Sequence, residues 1–182
     1  YKYQRNWKPV YPLFYTNGEL IKIGHRGAPA LAHENTLASF TKAVETGING
    51  VELDVQYSAD KQLVVFHDWD LKTLNGSDKI IEKMPYSEIE KISLYDDNNN
   101  KIPLFREVLN VLSKKCIIVV EIKSVHFLNA GIEKNVLEIV KEFNFEENCI
   151  ISSFNPLILW RIRKLNPNIL TAYLWSKTDP QF

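Results

Sequence analysis

The chain has 182 residues, 45% of them apolar, which is enough for one domain with a substantial core. Its 22 basic and 22 acidic residues cancel, which argues against the basic excess or stripe of a nucleic-acid-binding surface. No apolar run approaches the roughly 18 residues of a membrane span, and no charged stretch followed by an apolar one marks a signal peptide, so a cytoplasmic location is expected even though the sequence does not open on Met.

Residues 1–19 are rich in aromatics and prolines (Tyr1, Tyr3, Trp7, Pro9, Tyr11, Pro12, Phe14, Tyr15) and lack a helical period, so they are expected to form an extension packed on the main domain. From residue 20 the pattern alternates strand with helix. Candidate strands are 20–24, 50–56, 62–66, 116–123, 149–153 and 168–175. Between them, Asn35 is placed to cap a helix carrying Leu37, Phe40 and Val44, with Gly47 at its stop. Further helices are expected over Leu104–Lys114, Ile132–Phe143 and Pro156–Leu165. Alternation of this kind predicts parallel strands joined by crossover helices. The stretch from about 68 to 103 breaks the rhythm with Asn75-Gly76 and the polar run from Asp96 to Asn100. It reads as a loop-rich insertion after the third strand, with one short helix near Ser87–Leu94. Cys116 and Cys149 each open an apolar run and read as buried free thiols.

In the second strand Val51, Leu53 and Val55 alternate with Glu52, Asp54 and Gln56, so both carboxylates share one face. Glu121 and Lys123 do the same in the fourth. Strands covered by helices on both sides should be almost wholly apolar. A closed (β/α)8 barrel resolves the conflict: the apolar face packs outward on helices, and the charges point inward near the C-terminal mouth, where barrel enzymes keep their sites. The first strand ends in Gly24-His25-Arg26-Gly27 and the third in His67-Asp68, which places two imidazoles at strand C-termini. The glycines allow a close backbone approach there.

The segments IGHRGAPALAHENTLASFTKAVETG, GVELDVQYSADKQLVVFHD, TLNG, IPLFREVL, VEIK and SSF resemble the glycerophosphodiester phosphodiesterases from about Ile21 to Phe154, more weakly to about Trp175. The resemblance rests on HRG at 25–27, ENT at 34–36, E-x-D at 52–54, HD at 67–68 and E-x-K at 121–123. It implies a TIM barrel with a small insertion after strand 3, in which Glu52, Asp54 and Glu121 bind one divalent cation, Mg²⁺ or Ca²⁺. It further implies His25 and His67 as the acid–base pair and Arg26 and Lys123 as phosphate holders. Phe154 would wall the alcohol part of the substrate, and Glu34 would support the site. His33 departs from the proline often found before ENT and is given no role.

Three carboxylates make a hard oxygen site on chemical grounds alone, and two imidazoles can exchange protons near neutral pH. The expected activity is metal-dependent hydrolysis of a small glycerophosphodiester to an alcohol and glycerol 3-phosphate. A lysophospholipase D acting on lipid-like diesters, and a phosphate-binding module without turnover, are the alternatives. Which imidazole is acid and which is base stays open. Only six core strands are counted, so the barrel domain, 20–182, is expected to lack its last two strand–helix units, as part of a longer enzyme.

Overall fold

The computed structural model describes residues 20–94, 97–112, 116–124 and 131–176. The expected extension over 1–19 lies outside them. In chain order the elements are β1 (Ile23–Gly24), α1 (Leu37–Glu45), β2 (Gly50–Tyr57), β3 (Leu63–Val65), β4 (Asp70–Leu71), α2 (Lys72–Asn75) and β5 (Ser77–Ile80). A 3₁₀ turn (Ile81–Lys83) precedes α3 (Tyr86–Ile89), β6 (Ser93–Leu94), β7 (Asp97–Lys101) and α4 (Phe105–Val111). The chain continues through β8 (Ile117–Ile122), α5 (Ile132–Glu142), β9 (Cys149–Ser153), α6 (Pro156–Leu165) and β10 (Leu170–Tyr173). No helix among the described residues is long and apolar enough to cross a membrane.

Five strands pair in parallel in the order β1-β2-β8-β9-β10, each joined to the next through a helical crossover. This is the strand–helix alternation expected of a (β/α)8 barrel; among the described residues the sheet stays open between β1 and β10. The run at 62–66 is not a parallel stave: β3 folds back on β2 as an antiparallel arm, with Val55 opposite Val65 and Tyr57 opposite Leu63. The connection Ser58–Gln62 is too short for a crossover helix, so a hairpin is the available geometry. The segment after β3 holds two small antiparallel pairs, β4–β5 and β6–β7, around a core of its own that includes Phe66, Leu71, Ile81, Ile89 and Ile102.

Period-two alternation divides the parallel sheet into two apolar layers. Val51, Leu53, Val55, Ile118, Val120, Ile122 and Ile151 face the helices and are buried with Phe40, Phe105, Val136 and Ile158. The inner face carries Ile117, Ile150 and Leu170, packed with Ile21, Val119 and Ala172. Along the inner face of β8 the order is therefore Ile117, Val119, Glu121, and Lys123 follows the strand. An apolar plug fills the bottom, and charge begins only at the C-terminal end. Cys116 and Cys149 are free and buried.

The turn after β1 is tightly determined. Arg26 (φ +56°), Gly27 (φ +96°) and Asn35 (φ +54°) all lie in the left-handed region. At Gly27 an added Cβ would stand 2.4 Å from Ser39 Oγ. The helix cap is also corrected: Thr36, not Asn35, is the N-cap of α1, and its hydroxyl accepts from the Ser39 backbone N–H at 3.1 Å. Gly27→Ala combines a disfavoured φ with a steric clash and should destabilise the fold by about 2 kcal/mol or more. Thermal unfolding followed by circular dichroism would show it as a lowered Tm; an unchanged Tm would mean that the turn is not constrained as described.

Candidate active site

β2 and β8 are in register with Asp54 opposite Glu121 and Glu52 opposite Val119. Adjacent parallel residues point the same way, so Glu52, Asp54 and Glu121 converge at the inner C-terminal end of the sheet. One oxygen from each lies within 4.8 Å of the other two. Asp54 is 1% exposed, and the Glu52 and Glu121 side chains are 15% and 12% exposed.

Such a cluster repels itself, and the effect shows on Glu52. Its pKa is pushed from the ordinary 4.5 up to about 8, mostly by burial and further by Asp54 and Glu121. The Arg26 backbone N–H, donating to Glu52 Oε2 at 3.1 Å, offsets part of this. Positive charge gathers around the same oxygens. Lys123 Nζ lies 3.2 Å from Glu121 Oε1 and 3.7 Å from Asp54 Oδ1. The Arg26 guanidinium donates to Glu34 Oε1 at 2.7 Å, and its Nε lies 3.5 Å from Asp54 Oδ2. Burial lowers the pKa of Arg26, but the Glu34 hydrogen bond and the charges of Asp54, Glu34 and Glu52 outweigh it, leaving the pKa raised. Asn35 adds a hydrogen bond from Nδ2 to Asp54 Oδ2 at 2.9 Å.

The imidazoles differ in setting. His25, in the turn after β1, is open to solvent, with Nε2 3.8 Å from Glu52 Oε2. His67 follows the antiparallel arm, and its Nδ1 is 2.7 Å from Asp68 Oδ1. That loop is anchored from below by Gln56, which donates from Nε2 to the carbonyls of Phe66 and Asp68, both at 2.8 Å. A cavity of about 90 Å³ beside it is lined in part by Glu34, Asn35, His67 and Asp68. Trp69, on the same loop, places its ring 5.6 Å from Lys123 Nζ. Phe154 stands exposed just after β9.

The glycerophosphoryl diester phosphodiesterase family matches residues 25–182. The chain belongs to that family. It is 36% identical over 162 residues to a glycerophosphodiester phosphodiesterase of Caldanaerobacter subterraneus subsp. tengcongensis, covering 86% of this chain and 67% of the relative. A solved glycerophosphodiester phosphodiesterase from Thermotoga maritima matches with a TM-score of 0.72 at 37% identity, over 88% of this chain and 64% of that one. A phosphodiesterase from Oleispira antarctica, solved with the product sn-glycerol-3-phosphate, matches with a TM-score of 0.76 at 30% identity, over 85% of this chain and 65% of that one. The chain thus spans about two thirds of the length of these relatives.

At this mouth the expected carboxylate trio, Arg26 and Lys123 lie together, Glu34 reaches the group through Arg26, and His25 borders Glu52. Three contributors went unread in the sequence. In the sequence Asn35 fits a helix cap, and Asp68 stands out only as part of a motif. Gln56 shares the strand face of Glu52 and Asp54, and that period-two position was the signal that could have found it.

The trio is an oxygen-only donor set, and a cation would offset the burial and repulsion that raise Glu52, so the residues fit a hard divalent ion. A raised carboxyl pKa gives stability that is complete below the ordinary 4.5 and is lost as pH rises through about 8. In chelator the Tm should therefore fall over that window, and Glu52→Gln should flatten the fall. Added Mg²⁺ or Ca²⁺ should restore stability most at the alkaline end, because binding must release that proton. Melting curves from pH 5 to 9 would test this; a chelator-insensitive profile shared by the wild type and Glu52→Gln would contradict it.

Proposed function

We propose that this protein hydrolyses glycerophosphodiesters to an alcohol and glycerol 3-phosphate with the help of one divalent cation, Mg²⁺ or Ca²⁺, held by Glu52, Asp54 and Glu121. The observation that carries the reading is the convergence of three largely buried carboxylates beside Lys123 and Arg26 at the mouth of a parallel sheet. Relatives named for this activity, and a product-bound neighbour, support the choice of substrate. The cation would supply charge for a phosphate oxygen and acidify a coordinated oxygen.

The remaining work falls to this chain's side chains. The attacking oxygen, from water or from the substrate's neighbouring hydroxyl, forms a bond to phosphorus, and the bond to the leaving alcohol breaks; after attack by the hydroxyl, water adds to the resulting cyclic phosphate and breaks its new P–O bond, so that both routes end at glycerol 3-phosphate. One imidazole of the pair His25 and His67 takes the attacker's proton, and the other gives a proton to the alcohol oxygen. Asp68 accepts from His67 Nδ1–H, which fixes that ring and leaves Nε2 to handle a proton. Lys123 presents a compact charge to the phosphate and Arg26 a planar one, with Glu34 orienting Arg26. Phe154 forms a wall for the alcohol. Trp69, in the loop after β3, stands by Lys123 at the edge of the mouth.

Release of glycerol 3-phosphate from glycerophosphocholine should stop in chelator and return with Mg²⁺ or Ca²⁺. Binding of the diester by folded, cation-supplied protein without turnover would reassign the site to a ligand-binding module. Lys123→Met should cut kcat/KM by about a hundredfold or more, roughly 2.7 kcal/mol at 1.36 kcal/mol per decade. Cation affinity should fall far less and could rise as a competing charge leaves Asp54 and Glu121. Near-normal turnover in a folded, cation-loaded Lys123→Met protein would leave Arg26 as the main phosphate anchor.

A further inference from the structure

We infer that Asn35 is a positioning residue for the cation site, its side-chain amide fixing one oxygen of Asp54 and thereby setting how that carboxylate is presented. The inference rests on the reading of Glu52, Asp54 and Glu121 as cation ligands. Asp54 is 1% exposed and Asn35 2% exposed, so their contact is shielded from water. Nδ2 of Asn35 donates to Asp54 Oδ2 at 2.9 Å, on the same oxygen that lies 3.5 Å from Arg26 Nε. Oδ1 faces Lys123 instead, at 3.7 Å. The two oxygens of Asp54 are therefore not equivalent: one is tied to the loop after β1, and the other is not.

A bland account would make Asn35 a turn residue, chosen because asparagine tolerates φ +54°. Its backbone N–H does close the turn, donating to the Arg26 carbonyl at 3.0 Å. Glycine would serve that turn at less cost, because Asn35 Oδ1 is buried without a hydrogen-bond partner among the described residues. The opposite amide orientation would set Oδ1 against a carboxylate oxygen, so the donor is held toward Asp54. What asparagine adds over glycine here is the Nδ2–H···Oδ2 bond. Groups that orient metal-binding carboxylates in this way commonly change metal affinity by 10–100-fold when removed.

Calorimetric titration of Ca²⁺ and of Mg²⁺ into wild-type, Asn35→Gly and Ser39→Ala proteins separates the two accounts. Asn35→Gly keeps the left-handed backbone and removes only the amide. Ser39→Ala breaks the hydrogen bond from Ser39 Oγ to the Arg26 carbonyl, loosening the same turn without touching Asp54. The expected result is a 10–100-fold weaker cation affinity for Asn35→Gly at a Tm close to wild type. Ser39→Ala should melt lower but weaken cation binding far less than Asn35→Gly does. Equal affinity in Asn35→Gly and wild type, or equal losses in both variants, would overturn the inference. So would an Asn35→Gly chain that cannot fold, since the residue would then be structural. A wild-type protein that binds neither cation would remove the cation reading itself, and this inference with it.

Discussion

Three carboxylates share a space with little water, and the architecture around the mouth is organised by their repulsion. Burial alone makes an ionised Glu52 unfavourable, and Asp54 and Glu121 make it worse, which is why its proton is held up to about pH 8. The sheet cannot remove the conflict, because the register that sets Asp54 beside Glu121 is the same register that buries Leu53 and Val120 against the helices. Shifting either strand by one residue would turn the acids into the helix layer and bring Leu53 or Val120 to the mouth. Compensation has to come from outside the two strands. Arg26 and Asn35 supply it from the turn after β1, and Lys123 supplies it from just beyond β8.

That need gives a reason for the backbone conformation of the first loop. Arg26 and Asn35 adopt positive φ, a conformation that costs non-glycine residues roughly 1–2 kcal/mol each. The return is that the Arg26 backbone N–H meets Glu52 while both side chains meet Asp54. Ser39 ties the loop to α1, its Oγ accepting from the Ala28 N–H and donating to the Arg26 carbonyl. Helix α1, whose Phe40 and Ala43 are fully buried, thus anchors the loop that stabilises the acids. Packing energy in the outer layer is linked through one turn to electrostatics in the inner one.

The sequence made the parallel frame and the carboxylate trio legible because both depend on period-two alternation, which is local. Glu52, Asp54 and Glu121 were conspicuous as charges in runs that helix-covered strands should keep apolar. The direction of β3 was not legible: Leu63–Val65 is an ordinary apolar run, and only the shortness of the link from Tyr57 distinguishes a hairpin from a crossover. The contact of Asn35 with Asp54 is hidden for a related reason. Asn before Thr fits a capping pattern at either position, and the choice was made by a tertiary partner, Asp54, 19 residues away. Gln56 and Asp68 were silent because their work is done on backbone carbonyls and on a neighbouring ring, which no spacing rule reports.

The two imidazoles are held by different means, and His25 borders the acidic cluster. His67 has a dedicated partner in Asp68, and its loop is fixed by Gln56 through two backbone carbonyls, so its setting depends little on the carboxylate trio. His25 has no such partner among the described residues; its Nε2 stands 3.8 Å from Glu52 Oε2. Ionisation of Glu52 therefore changes the charge beside His25, whereas His67 faces its own aspartate on a loop held through two backbone carbonyls.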